Sequence, residues 1–219
     1  MKKKLIAALL LGATVLPALQ GCFPVVAAGF TGGVLATMDR RSVGTQTEDE
    51  SIEWKASARV AEQLGSKADK AHINFTSYNR KVLLTGEVAS NEDKAEVERT
   101  VSSVANVQGV YNELVVGASS SFSDRSNDSF VTSKVKSRSV DSGKFNPVHV
   151  KVVTEAGTAF LLGMVTQPEA DAAINVARTT AGVKRVVNLL DIITPAKARE
   201  LDKVQSTTAN SQPAEVRNP

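Results

Sequence analysis

Few residues in this 219-residue chain could do chemistry on their own. There is one cysteine, Cys22, and there are two histidines, His72 and His149. A thiol can act as a nucleophile, a metal ligand or an acyl acceptor, but the first role needs neighbours that depress its pKa, and the sequence around Cys22 supplies none. His72 and His149 stand at equivalent places in an internal repeat, at the start of a strand. Inherited structure explains that placement better than a converging catalytic or metal pair. With no Gly-rich phosphate loop either, neither catalytic nor metal-binding residues are expected, and no cofactor.

The acyl-acceptor role fits what precedes Cys22. Lys2, Lys3 and Lys4 lead into an apolar run from Leu5 to Leu16, followed by small and polar residues. That run is shorter than the roughly 20 residues of a spanning helix and has the layout of a secretory signal over residues 1–21. The stretch "LQGC" resembles the bacterial lipobox, which implies that Cys22 receives lipid and becomes the mature N-terminus. By the same resemblance, Phe23 after the cysteine, where an aspartate would favour inner-membrane retention, implies the periplasmic face of the outer membrane. Two or three acyl chains give stable anchoring.

Export also changes the charge argument. The whole chain carries a formal charge of +3, but residues 1–21 hold three lysines and no acid, so the mature chain is neutral and nucleic acid is not an expected partner. Charge is uneven within it, with −1 over 51–116 and +2 over 128–193, so the second half is the better candidate for anionic partners.

The elements that hold these residues come in duplicate. "HINFTSYNRKVLLTGEVASNEDKAEV" at 72–97 lies without a gap over "HVKVVTEAGTAFLLGMVTQPEADAAI" at 149–174, pairing Gly86 with Gly163 and Glu92 with Glu169 at an offset of 77. Each copy opens on an amphipathic helix: Ala56, Val60 and Leu64 in one, Val131 and Val135 in the other. Two strands joined at "YNRK" or "EAGT" follow, then a helix capped near Ser90 or started at Pro168, then a third strand. The order is α-β-β-α-β, an α+β fold with a three-stranded mixed sheet packed on two helices. Gly86 and Gly163 inside apolar strands are expected to mark close packing beneath a helix.

That order, with the strand glycine in "KVLLTGEV" and "AFLLGMV" and the "GVKRVVN" that follows, resembles the BON domain. Two copies behind a lipobox, with "DRRSVGTQ" at 39–46, "VYNEL" at 110–114, "SND" at 126–128 and "GVKRV" at 182–186, are similar to dual-BON outer-membrane lipoproteins. The organisation expected is a signal peptide over 1–21, a lipidated tether over 22–50, BON domains at 51–116 and 128–193, a Ser-rich linker at 117–127, and a largely disordered tail over 194–219.

The resemblance implies a non-enzymatic protein that binds anionic phospholipid through the first helix of its second domain, supports envelope integrity and is enriched at the division site. Carried onto this chain, the lipid-binding residues are Phe130, Val131, Lys134, Val135, Lys136, Arg138 and Val140. The spacing of Phe130, Lys134 and Arg138 puts an aromatic and two cations in one line along a helix, which suits an interfacial role. Val131 and Val135 also fit a core. The other expectation is a periplasmic adaptor for envelope-assembly or septal wall proteins, with Trp54 as a possible contact, although a core position for Trp54 is favoured.

Overall fold

The computed structural model describes residues 39–210, with side chains through residue 204. Cys22, the signal segment and most of the expected tether lie outside the described residues.

Helix α1 (Val43–Leu64) starts at Ser42, whose hydroxyl accepts the Thr45 N–H, and turns Ile52, Ala56, Val60 and Leu64 inward at four-residue spacing. A 3-10 turn (Gly65–Lys70) leads to β1 (His72–Tyr78), which pairs antiparallel with β2 (Lys81–Val88). Helix α2 (Asn91–Ser102), capped by Ser90, returns the chain to β3 (Gly109–Asn112) and β4 (Val115–Val116), which together run parallel to β2 as one interrupted third strand.

The second copy repeats this path. It contains α3 (Phe122–Ser142), a 3-10 turn (Pro147–His149), β5 (Val150–Glu155), β6 (Thr158–Val165), α4 (Gln167–Arg178) and β7 (Arg185–Ile192), with sheet order β5-β6-β7. A further helix, α5 (Pro195–Asn210), follows.

Both hairpins use two-residue loops with left-handed backbone at each position: Asn79 and Arg80 in one, Ala156 and Gly157 in the other. Each loop is held by a buried aspartate one helix away. Asp49 accepts the N–H groups of Asn79 and Arg80 at 2.8 Å, and Asp128 accepts those of Ala156 and Gly157 at 2.9 Å. These two aspartates set the helix register between copies, 79 residues apart.

Alternation along the strands explains how the copies join. In β2, Val82, Leu84 and Val88 point into the helix-side core, whereas Leu83 points the other way; in β6, Ala159, Leu161 and Val165 face the helices and Phe160 and Leu162 do not. The outward set meets in one shared cluster of Tyr78, Leu83, Phe160 and Leu162, with Tyr111, Val153, Met164, Val187 and Leu189 around it. The two sheets therefore lie back to back with helices outermost. Lys81 to Asp191, Lys151 to Glu53 at 3.1 Å and Arg185 to Glu113 at 3.2 Å cross the same seam.

Several expectations are corrected here. The tether does not extend to residue 50, because Ser42 caps a helix that begins at Val43. The linker ends by Ser121, where a capping box between Ser121 and Asp124 starts α3. The tail is helical from Pro195 to Asn210 rather than largely disordered. Gly86 and Gly163 do mark close packing, but against a strand and not a helix. A Cβ on Gly86 would lie 1.9 Å from the carbonyl oxygen of His72, and one on Gly163 2.2 Å from that of His149.

Candidate functional site

Helix α3 carries the residues that the sequence singled out, and the structure divides them. Asp128, Val131, Val135 and Ser139 form its buried stripe. Val131 and Val135 are thus core residues that cannot touch a bilayer, a correction that follows from their three- and four-residue spacing with Asp128 and Ser139. Phe130 and Val140 lie on the outer side, 62% and 64% exposed, and Lys136 is exposed between them. Phe122, the first residue of the helix and 79% exposed, was placed in the linker by sequence reasoning. The S-x-x-D capping pattern at Ser121 was the signal that could have placed it on the helix.

The cations also divide. Lys134 donates from Nζ to the Ala181 carbonyl and sits 4.9 Å from the centre of the Phe130 ring. Arg138 donates from Nη1 to Thr180 Oγ1 at 2.9 Å and to the Val176 carbonyl at 3.3 Å. Both are anchored on the C-terminal end of α4, where unsatisfied carbonyls favour positive charge. The first copy repeats half of this arrangement: Arg59, the counterpart of Arg138, donates to the Ser103 carbonyl at 3.1 Å. Arg138 therefore has an inherited structural duty.

What distinguishes the second copy is Phe130 where the first has Ser51, Lys136 where it has Ser57, and Val140 where it has Ala61. Lys136 makes no ion pair or hydrogen bond with any described residue. Small serines at 126, 129, 133 and 137 separate the apolar side chains along this face.

Trp54, favoured as core from sequence, is 73% exposed at the centre of the outer face of α1. His72 and His149 do not converge, and among the described residues no group of three or more His, Cys, Asp or Glu could hold a metal ion. No described helix is long and apolar enough to cross a membrane.

The "DRRSVGTQ" stretch has a role that sequence did not reveal. Arg40 is buried and forks onto Glu169 at 2.9 and 3.0 Å, with further bonds to Asp202 and to the Met164 carbonyl, both at 2.9 Å. Burial alone would raise the Glu169 pKa, but the guanidinium and the Thr166 N–H and hydroxyl outweigh it and hold the carboxyl at about 2. Arg41 turns the other way, to Asp39 and Asp49, with its guanidinium 4.0 Å from the centre of the Tyr78 ring. Adjacent arginines thus fasten one to each domain.

Comparison with known proteins agrees with this architecture. The BON domain pattern matches residues 49–118 and 127–194. The chain is 40% identical over 182 residues to the outer membrane lipoprotein DolP of Haemophilus influenzae, covering 83% of this chain and 93% of that protein. It is 32% identical to the 21 kDa hemolysin of Actinobacillus pleuropneumoniae over 71% of this chain and 80% of that one, and 28% identical to the osmotically-inducible protein Y of Escherichia coli over 67% and 73%. None of these names denotes an enzyme. With two matched domains over more than half its length and this likeness to a DolP across most of it, the chain belongs to the BON-domain family, as an outer-membrane lipoprotein of the DolP type.

Proposed function

We propose that this lipoprotein binds anionic phospholipid through the outer face of α3, and that this attachment serves envelope integrity, with enrichment at the division site. The observation that supports it most is the pairing of an exposed Phe130 ring with Lys136 and Val140 on one outward face, at positions where the first copy carries Ser51, Ser57 and Ala61. An aromatic ring enters the headgroup region, and each cation beside an anionic surface adds about 1 kcal/mol. So small a set would hold weakly alone. Acyl chains on Cys22 keep the helix near the bilayer, and the 17 residues from 22 to 39 reach at most about 60 Å when extended.

Co-sedimentation of the mature chain with vesicles containing phosphatidylglycerol tests the reading. Binding should fall with added salt. Phe130→Glu or Lys136→Glu should weaken it about tenfold or more without altering the melting temperature. Equal binding by both variants would reject α3 as the contact. A second reading, a periplasmic adaptor, is favoured by the exposed Trp54; a stoichiometric crosslinked partner that survives both α3 variants and is lost with Trp54→Ala would support it.

A further inference from the structure

His72 and His149 stand at equivalent places in the two copies, and only the second is closed in. His72 is partly exposed, and its Nε2 lies 3.2 Å from the Asn74 side-chain amide. His149 is 5% exposed. Two of the segments that face it lie outside the repeat. Before α1, residues 39–41 form a strap that brings Asp39 and Arg40; after β7, α5 brings Asp202. One oxygen of Asp202, Oδ1, accepts from Arg40 Nε at 2.9 Å and lies 3.8 Å from His149 Nε2. Glu169 from the first turn of α4 also faces the ring, as does Asn146, whose amide is 3.5 Å from Nε2. The first copy differs here: Glu92, the counterpart of Glu169, is exposed.

The enclosure suits a neutral ring and not a charged one. His149 Nδ1 is buried, with no hydrogen-bond partner among the described residues. A neutral imidazole can carry its proton on Nε2 and leave Nδ1 bare, whereas an imidazolium donates from both nitrogens. Protonation would therefore bury a second cation near Arg40 with one N–H unanswered. Burial and then Arg40 oppose that charge and outweigh the pull of Asp202, Glu169 and Asp39, so the ring takes its proton below its ordinary 6.5. Water must reach the ring to relieve it. The surrounding elements differ in how firmly they are held. Arg40 is 4% exposed, forks onto Glu169 and reaches the Met164 carbonyl. Among the described residues of α5 only Ala198 is buried, and the Asp202 side chain is 43% exposed. α5 is thus the element that lifts at least cost.

We infer that His149 is a proton-operated catch for α5: charging its ring lifts this helix off the second domain while both sheets stay folded. The open state takes the proton more readily than the closed one, so the ratio of open to closed rises as pH falls below 6.5, by at most about tenfold per pH unit. Arg40 keeps its proton across that range, and Glu169, titrating at about 2, keeps its charge. A lone helix of 16 residues is marginal in water, so α5 unravels once lifted. Its departure takes one of two carboxylates from Arg40, which stays on Glu169 and the Met164 carbonyl. Acid thereby turns a packed helix into an exposed, movable arm.

The test is amide exchange on the mature chain, followed by NMR at pH 7 and pH 5, with each rate corrected for its intrinsic dependence on pH and with the His149 and His72 rings titrated alongside. Protection of the Leu201 and Asp202 amides should fall about threefold or more from pH 7 to pH 5, tracking the His149 ring, while Val152 and Leu161 keep their native shifts. His149→Phe keeps a buried ring that takes no proton and should remove this dependence; His149→Asn serves if the phenyl ring disturbs folding. The inference is overturned if protection in α5 is the same at both pH values, or if it falls equally in a folded His149 variant. It is also overturned if the native signals of Val152 and Leu161 vanish together with those of α5.

Discussion

A carbonyl oxygen 1.9 Å from where a Cβ would stand leaves no room for one, and the backbone at Gly86 has φ +108 besides. Gly86→Val should therefore push β1 away from β2 and cost about 3 kcal/mol or more, read as a fall in melting temperature of about 6–12 °C or more. Gly163→Val should act similarly in the second sheet. That these glycines matter was legible, because glycine weakens a strand unless something approaches closely. What approaches was not legible, because sequence pattern gives each strand's faces but not its crossing angle to the next. The same limit applies to Val131 and Val135: their spacing fitted the core, and only their burial removes them from the membrane face.

At the scale of elements, the paired aspartates tie each domain's first helix to its hairpin. Asp128→Ala would take the acceptor from the Ala156 N–H and from the buried Gly157 N–H and should cost about 2 kcal/mol in denaturant unfolding, while Asp128→Asn, which keeps one acceptor oxygen, should recover part of it. Helix and strand order could be read from apolar periodicity, since the buried stripes follow it closely. Helix ends could not. The stretch from Ser121 to Asp128 is polar and Ser-rich, so its composition spoke for a linker while its capping pattern spoke for a helix start. α5 was hidden in the same way: Thr194 Oγ1 accepts the Lys197 N–H at 3.2 Å, and Pro195 suits a first turn, but few apolar residues follow.

At the scale of the whole molecule, the clamp at Arg40 should make stability depend on pH. Glu169 titrates at about 2 in the fold against an ordinary value of 4.5, so its contribution is present above pH 4.5 and lost as pH falls toward 2. His149, pushed below its ordinary 6.5 by burial and then by Arg40, adds a loss that begins as pH falls through that value, because the unfolded chain takes the proton first. Arg40→Met should cost about 2 kcal/mol near neutrality by taking the cation from the half-buried Glu169 carboxylate, and should flatten the acid limb of melting temperature against pH. The duplication was plain in the sequence, and the apolar runs "VLLTGEV" and "AFLLGMV", too continuous for a sheet wetted on one side, were the available sign of the seam. The partners of Arg40 lie more than a hundred residues away and left no such sign. Sheets that meet back to back send their helices in opposite directions. A molecule resting on headgroups through its second copy would turn the first copy's tryptophan away from the bilayer, offering it to the periplasm like a hook on a short post.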